Sequence, residues 1–208
     1  MKTTLYLVRH GQSVANMEHR ALGIVDMPLS VLGERQAQAT FIYMKDVHLD
    51  AIYSSPLSRA YNTILPHAEH RGLPVQRVQA LQEIDHGLWE AMREEDIIRR
   101  WPYSFTEMWC GNFGLATAPG GENVQNAATR IINALREIAE KHPGQAVLVG
   151  GHGCAFRAAC ARIMGIAPER VGKELPYPAN ASVTTVTYED GCFTMECFSE
   201  AAHLADLC

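Results

Sequence analysis

The stretch Leu5-Tyr6-Leu7-Val8-Arg9-His10-Gly11 decides how the rest of the chain is read. Four apolar or aromatic residues run without a break and stop at a basic pair followed by glycine. A run this short and continuous suits a strand buried on both faces, as in a parallel sheet between helices. The pattern recurs. Ala51-Ile52-Tyr53 stops at Ser54-Ser55-Pro56, residues 146–149 stop at Gly150-Gly151-His152-Gly153, and residues 75–78 lead into Leu81-Gln82-Glu83.

Helical periodicity fills the intervals. Val124, Ala128, Ile131, Leu135 and Ile138 recur at spacings of four and three, on a helix that His142-Pro143-Gly144 ends. Ser30 is placed to cap a helix carrying Leu32, Phe41 and Ile42, and Ser55 to cap one beginning at Pro56. Residues 154–164 read as a helix ended by Gly165, and residues 183–188 and 193–198 flank Glu189-Asp190-Gly191 as a hairpin. Buried strands alternating with helices predict an α/β fold with a mainly parallel central sheet. No linker or repeat divides residues 1–208, so one domain is expected. Residues 93–121 fit the alternation least. Their Trp101, Tyr103, Phe105, Trp109 and Phe113 suit either a lid over an active face or a satellite aromatic core.

Bulk properties narrow the function. In 208 residues, 47% are hydrophobic and the formal net charge is -5, which argues against general affinity for nucleic acid or an anionic membrane. An anionic substrate must be drawn by a local group of Arg or His. No run approaches the roughly 20 apolar residues that span a bilayer. The first apolar run is too short for a signal peptide, so the cytoplasm is the expected compartment. The six cysteines form no C-x-x-C pair and are expected to be reduced thiols, mostly filling the core.

In open parallel sheets, ligands bind beyond the carboxyl ends of the strands. Those ends deliver Arg9 and His10, then His152, then Arg59 on an early helical turn, then Glu83. Right-handed crossovers bring all of them to one edge. Two guanidinium forks match phosphate oxygens, and helix N-termini beside these loops add positive charge. Gly11 and Gly153 each follow a histidine and let backbone and imidazole approach a ligand. A neutral imidazole can attack phosphorus while a second stabilises the moving charge, and Glu83 can donate the proton to the leaving oxygen. Taken singly, each residue has a blander reading: a histidine at a strand end is more often a hydrogen-bonding residue, and a lone Arg or Glu is usually solvated.

The ordered set is more specific than its parts. Leu7-Val8-Arg9-His10-Gly11-Gln12-Ser13 with Asn16 resembles the signature of the histidine phosphatase, or phosphoglycerate mutase-like, superfamily. The likeness continues through Gly23, Asp26-Met27-Pro28-Leu29-Ser30, Gly33 and Gln36-Ala37. Further blocks are Ser54-Ser55-Pro56-Leu57-Ser58-Arg59-Ala60 with Thr63, Leu81-Gln82-Glu83-Ile84 with Gly87 and Trp89-Glu90, and Pro119-Gly120-Gly121-Glu122. The last are His152-Gly153 with Arg157-Ala158, and Asn180-Ala181-Ser182-Val183-Thr184. The resemblance implies a three-layer α/β/α sandwich needing neither metal nor organic cofactor. It implies His10 as the nucleophile that becomes phosphohistidine. Arg9, Arg59 and His152, with Asn16 assisting, would bind the phosphoryl group, and Glu83 would act as acid and then base.

Three positions depart from the family pattern: Leu22 replaces a polar residue, Gly151 a serine, and Ala91 a glycine. They bear on the substrate pocket more than on the chemistry. The expected activity is that of a phosphatase acting on a small phosphate monoester, with a homodimer as the expected assembly. The nearest alternative is mutase-type phosphoryl transfer, but the Glu-Arg-His-Tyr-Gly block of such mutases is here Glu83-Ile84-Asp85-His86-Gly87. A non-catalytic phosphate-binding regulator would be favoured by loss of His10, Glu83 or His152, and all are present. A metallohydrolase would have to use His67 and His70, spaced i, i+3 on what reads as an exposed helix. Neither a P-loop nor a G-x-G-x-x-G motif occurs.

Overall fold

The computed structural model describes residues 1–109 and 111–207. In chain order the elements are β1 (Thr3–Arg9), α1 (Val14–Met17), α2 (Val31–Tyr43), β2 (Ala51–Ser54), α3 (Ser58–Arg71), β3 (Val75–Arg77), α4 (Glu94–Arg100) and α5 (Pro102–Trp109). There follow α6 (Val124–Lys141), β4 (Ala146–Gly151), α7 (Gly153–Ile163), α8 (Val171–Glu174), β5 (Val183–Glu189) and β6 (Cys192–Glu200). These strands form one sheet in the order β3-β2-β4-β1-β5-β6. The first four run parallel, and the β5–β6 hairpin adds an antiparallel edge.

Strand alternation sorts side chains onto two faces. Leu5, Leu7, Tyr53, Val147 and Val149 pack with Ile131, Leu135 and Ile138 of α6 and with Ala155 and Ala159 of α7. From the alternate positions, Val8, Ile52 and Leu148 pack with Met44, Ile64 and Ala68 on the side of α2 and α3. Helices therefore cover both faces, and the architecture is the three-layer α/β/α sandwich. Among the described residues, no helix is long and apolar enough to cross a membrane.

Register places the chemistry. Arg9 pairs with Gly151 across β1 and β4, and Ser54 pairs with Gly150 across β2 and β4. His10, Ser55 and His152 therefore leave the sheet side by side. Because β5 runs antiparallel, opposing its Val183 to Val8, the segment entering β5 reaches the same edge.

The structure corrects four local readings. Helix α3 starts at Ser58, not Pro56, and Ser55 is not its cap. Asp26, from a distant loop, accepts from the Ser58 amide at 3.0 Å and from its hydroxyl at 2.9 Å. A tertiary carboxylate has taken the role assigned to the local serine. Second, residues 93–121 are no satellite core: Ile97, Met108 and Phe113 are fully buried in the main core, with Trp101, Phe105 and Trp109 packed against it. Third, of the four described cysteines, all free thiols, only Cys154 and Cys160 are buried. Cys192 and Cys197 are exposed on β6, the sheet's edge strand, while Cys110 and Cys208 lie outside the described residues.

The fourth correction concerns His67. It is fully buried, not on an exposed face, and sits edge-on to the Phe41 ring at 5.6 Å between centroids. His70 is exposed, so the two make no ligand pair. Burial, with Arg71 adding to it, lowers His67 to about 4. The unfolded chain binds a proton here near pH 6.5 and the native chain does not. Stability from this group is complete above pH 6.5 and is lost as pH falls from 6.5 towards 4, by up to about 3 kcal/mol. Urea denaturation of His67→Leu should show a shallower acid dependence than the parent protein; an identical slope would contradict this.

Candidate active site

A cavity of about 240 Å³ opens at the carboxyl edge of the sheet, lined by Arg9, His10, Asn16 and Glu83. His10 is held by its backbone: its amide donates to Gly151, and its carbonyl accepts from Ala181 and the Asn180 side chain. Its Nδ1 lies 2.7 Å from the Gly11 carbonyl oxygen. A carbonyl can only accept, so Nδ1 carries the proton and Nε2 keeps its lone pair. Burial, then the charges of Arg59 and Arg9, hold His10 well below the usual histidine value. The ring is therefore neutral near neutral pH, the state a nucleophile needs. Nitrogen-15 NMR of the imidazoles at pH 6 should show His10 neutral and protonated on Nδ1; a charged ring at that pH would overturn the assignment.

His152 is fully buried behind His10, with ring centroids 5.3 Å apart. Its Nε2 is 2.8 Å from Ser55 Oγ, while its Nδ1 has no protein partner. Burial, followed by Arg59, His10 and Arg9, keeps it well below the usual value too. Arg59 is also fully buried; its terminal nitrogens donate to Val25 O at 3.0 Å and Gly23 O at 2.6 Å, leaving Nε unpartnered. Arg9 is held by the Pro178 carbonyl and by the Tyr177 ring, 4.7 Å from its guanidinium carbon, and its Nε is likewise unpartnered. Both guanidinium groups are thus buried with an unpartnered Nε, and Arg59 has Asp26 as an ion-pair partner at 3.8 Å.

Glu83 lies at the N-terminus of α7. Its Oε1 accepts from Ile84 and Ala155 at 2.9 and 2.7 Å, and its Oε2 from Cys154 at 3.0 Å. Its orientation is fixed, and Oε2, with one bond only, has room for a proton. Asn16 closes a reciprocal cap with Ser13 and accepts from Asn180 at 3.3 Å.

Four predicted contacts lie outside the cavity lining: Arg59 and His152, both fully buried, and Gly11 and Gly153. Gly11 spends its amide on Thr63 Oγ1 and its carbonyl on His10, so it offers no donor to a substrate. A side chain there would strike the backbone of Gly33 in α2, which is why the position is glycine. Gly153 lies outside the cavity lining, and its missing side chain leaves space for the Tyr177 ring. Of the departures, Gly151 is explained, because a side chain there would collide with Phe156; Ala91 sits at φ 60, where glycine would be unstrained, and nothing in the structure explains the alanine. Leu22 joins the lining of the cavity.

The remaining lining includes Arg20, His86, Glu94, Trp109 and Tyr177, which no motif reading singled out. His86 follows Glu83 by three residues and is buried, with Nδ1 unpartnered. Tyr177 comes from the segment entering β5, which Arg157 ties down through the Leu175 carbonyl. A larger groove, of about 940 Å³, lies between α2 and α3 and holds none of the converging residues.

Residues 5–201 match the model of the histidine phosphatase superfamily (branch 1), and the chain belongs to that superfamily. It is 35% identical to phosphoserine phosphatase 1 of Hydrogenobacter thermophilus over 162 residues, covering 78% of this chain and 76% of that protein. It is 31% identical over 203 residues to a 2,3-bisphosphoglycerate-dependent phosphoglycerate mutase of Brucella anthropi, covering 91% and 98%. The solved structure of YhfR from Bacillus stearothermophilus superposes with a TM-score of 0.91 at 29% identity, covering 97% of this chain and 99% of that one.

Proposed function

We propose that this chain is a phosphatase that hydrolyses a small phosphate monoester through a phosphohistidine on His10. The observation that carries the reading is the neutral His10 ring, pinned through Nδ1 beside two buried guanidinium groups and the fixed carboxyl group of Glu83. His10 Nε2 attacks phosphorus, and the bond to the ester oxygen breaks. Glu83 gives that oxygen its proton, so the alcohol leaves neutral. The Gly11 carbonyl steadies the positive charge that the ring acquires. With Ser55 donating to Nε2, His152 donates from Nδ1 to a phosphoryl oxygen, and Arg9 and Arg59 take the rest of the charge. Water then attacks, Glu83 recovers a proton from it, the P–N bond breaks, and phosphate departs.

Arg9, Arg59 and His152 supply the charge stabilisation that a divalent ion would otherwise give, so no metal is required. Residues 93–121 act as the lid, contributing Glu94 and Trp109 to the cavity. On the leaving-group side Arg20 is paired with Glu18 at 2.7 Å and donates to the Ala91 carbonyl, while Leu22 and Trp109 give apolar wall. Phosphoserine, the substrate named for the Hydrogenobacter relative, is the first ester to test.

Mutase chemistry would need further cations to hold a sugar acid while excluding water. Arg99 is engaged by Asp96 at 3.3 Å on the exposed face of α4, and Arg93 and Arg100 are exposed. Incubation with 3-phosphoglycerate and a bisphosphoglycerate primer should release phosphate faster than it forms 2-phosphoglycerate. Phosphoserine should be hydrolysed equally well with or without chelator. Isomerisation outrunning phosphate release by about tenfold, the factor that about 1.4 kcal/mol of barrier preference produces, would replace this reading with the mutase.

A further inference from the structure

We infer that Glu90 is the positioning residue that sets the phosphate-binding guanidinium of Arg59; the inference rests on Arg59 being a phosphate ligand, as proposed above. Glu90 is outside the cavity lining, yet its carboxylate collects four backbone amides. Oε1 accepts from Ile24 and His86, both at 2.9 Å, and Oε2 from Gly23 at 3.2 Å and Val25 at 3.1 Å. Three of these donors are consecutive, so one carboxylate fixes the loop at residues 23–25. The opposite groups of that loop hold Arg59: its terminal nitrogens donate to the carbonyls of Gly23 and Val25. The fully buried guanidinium thus has its place set through the loop by Glu90, one peptide layer away.

The fourth amide extends the clamp. Through His86, Glu90 also ties down the segment that carries Glu83, so phosphate ligand and proton donor are referred to a single anchor. Gly23 must be glycine for this to work, because a side chain there would collide with Glu90 Oε1 and the Ile84 carbonyl. Each oxygen of Glu90 accepts twice. Glutamine at this position would turn an NH₂ towards two N–H donors, opening the loop while keeping the volume of the side chain.

The test is a double-mutant cycle read by competitive inhibition with inorganic phosphate, using p-nitrophenyl phosphate as reporter. Arg59→Ala, Glu90→Gln and the double variant are compared with the parent protein. Glu90→Gln should raise the phosphate inhibition constant by about tenfold or more, as loss of an aligned charge-assisted contact does. In the Arg59→Ala background, adding Glu90→Gln should cost less than about threefold, because coupled residues are non-additive. Glu90→Asp, which keeps the charge but withdraws it by one methylene, should move the constant in the same direction. A general structural role would instead lower the thermal midpoint and leave phosphate inhibition of the folded enzyme unchanged. That result, or effects that multiply independently, overturns the inference. Arg59→Ala leaving phosphate inhibition unchanged would instead remove the assignment of Arg59 on which it rests.

Discussion

Replacing His10 with alanine should lower kcat by about 10⁶-fold, the scale seen when the nucleophile of a covalent catalyst is removed. The size of the loss follows from the site's construction. In the proposed mechanism Arg9, Arg59 and His152 bind and stabilise charge, and none of them forms the covalent intermediate. His152 is an imidazole only 5.3 Å from His10, yet its Nε2 is engaged by Ser55 and it is fully buried behind the first ring. It is not placed to substitute. Phosphate should still compete for the variant's site, because both guanidinium groups are held by backbone carbonyls independent of the His10 ring. Steady-state turnover together with phosphate binding by calorimetry separates these outcomes. A variant retaining more than about one per cent of turnover would point to another nucleophile, since that loss is only about 2.7 kcal/mol of barrier.

The second large effect is expected at Glu83. Glu83→Gln should slow esters of alkyl alcohols by about 10²–10⁴, the usual range for general acid catalysis. Esters of acidic phenols leave without a proton and should be slowed much less in the phosphorylation step. The substitution is not neutral for structure. Oε1 and Oε2 together accept three backbone amides, and an NH₂ in place of either oxygen faces a donor. Comparing two leaving groups within one variant cancels that shared structural loss. Equal losses on both ester types would assign Glu83 to binding instead.

How far these residues could be read from sequence depends on what fixes each one. Arg9, His10 and His152 were legible because each ends a short apolar run, and a parallel sheet gathers such ends at one edge. The apolar stripe of α6 was legible because helical periodicity is local. Tyr177 was not, since it reaches the site only through the antiparallel entry into β5. No periodic pattern announces that reversal. Ser55 looked like a cap because serine before proline usually is one. Asp26 displaced it from another loop, and that freed Ser55 to meet His152. Gly11 illustrates the converse error: the residue type was read as room for a ligand, whereas α2 packs against it. Arg20, Glu94 and Trp109 depend on how residues 93–121 fold against the core, where aromatic residues occur without a repeat.

The measurement that bears most directly on the account is capture of the intermediate. Mixing the enzyme with a ³²P-labelled monoester and quenching within milliseconds should trap a phosphoprotein that is acid-labile and base-stable, as a phosphorus–nitrogen bond is. The label should appear at a rate at least equal to turnover, map to the peptide carrying His10, and vanish in His10→Ala. Label that is acid-stable, that survives in His10→Ala, or that forms more slowly than product is released would contradict the phosphohistidine mechanism.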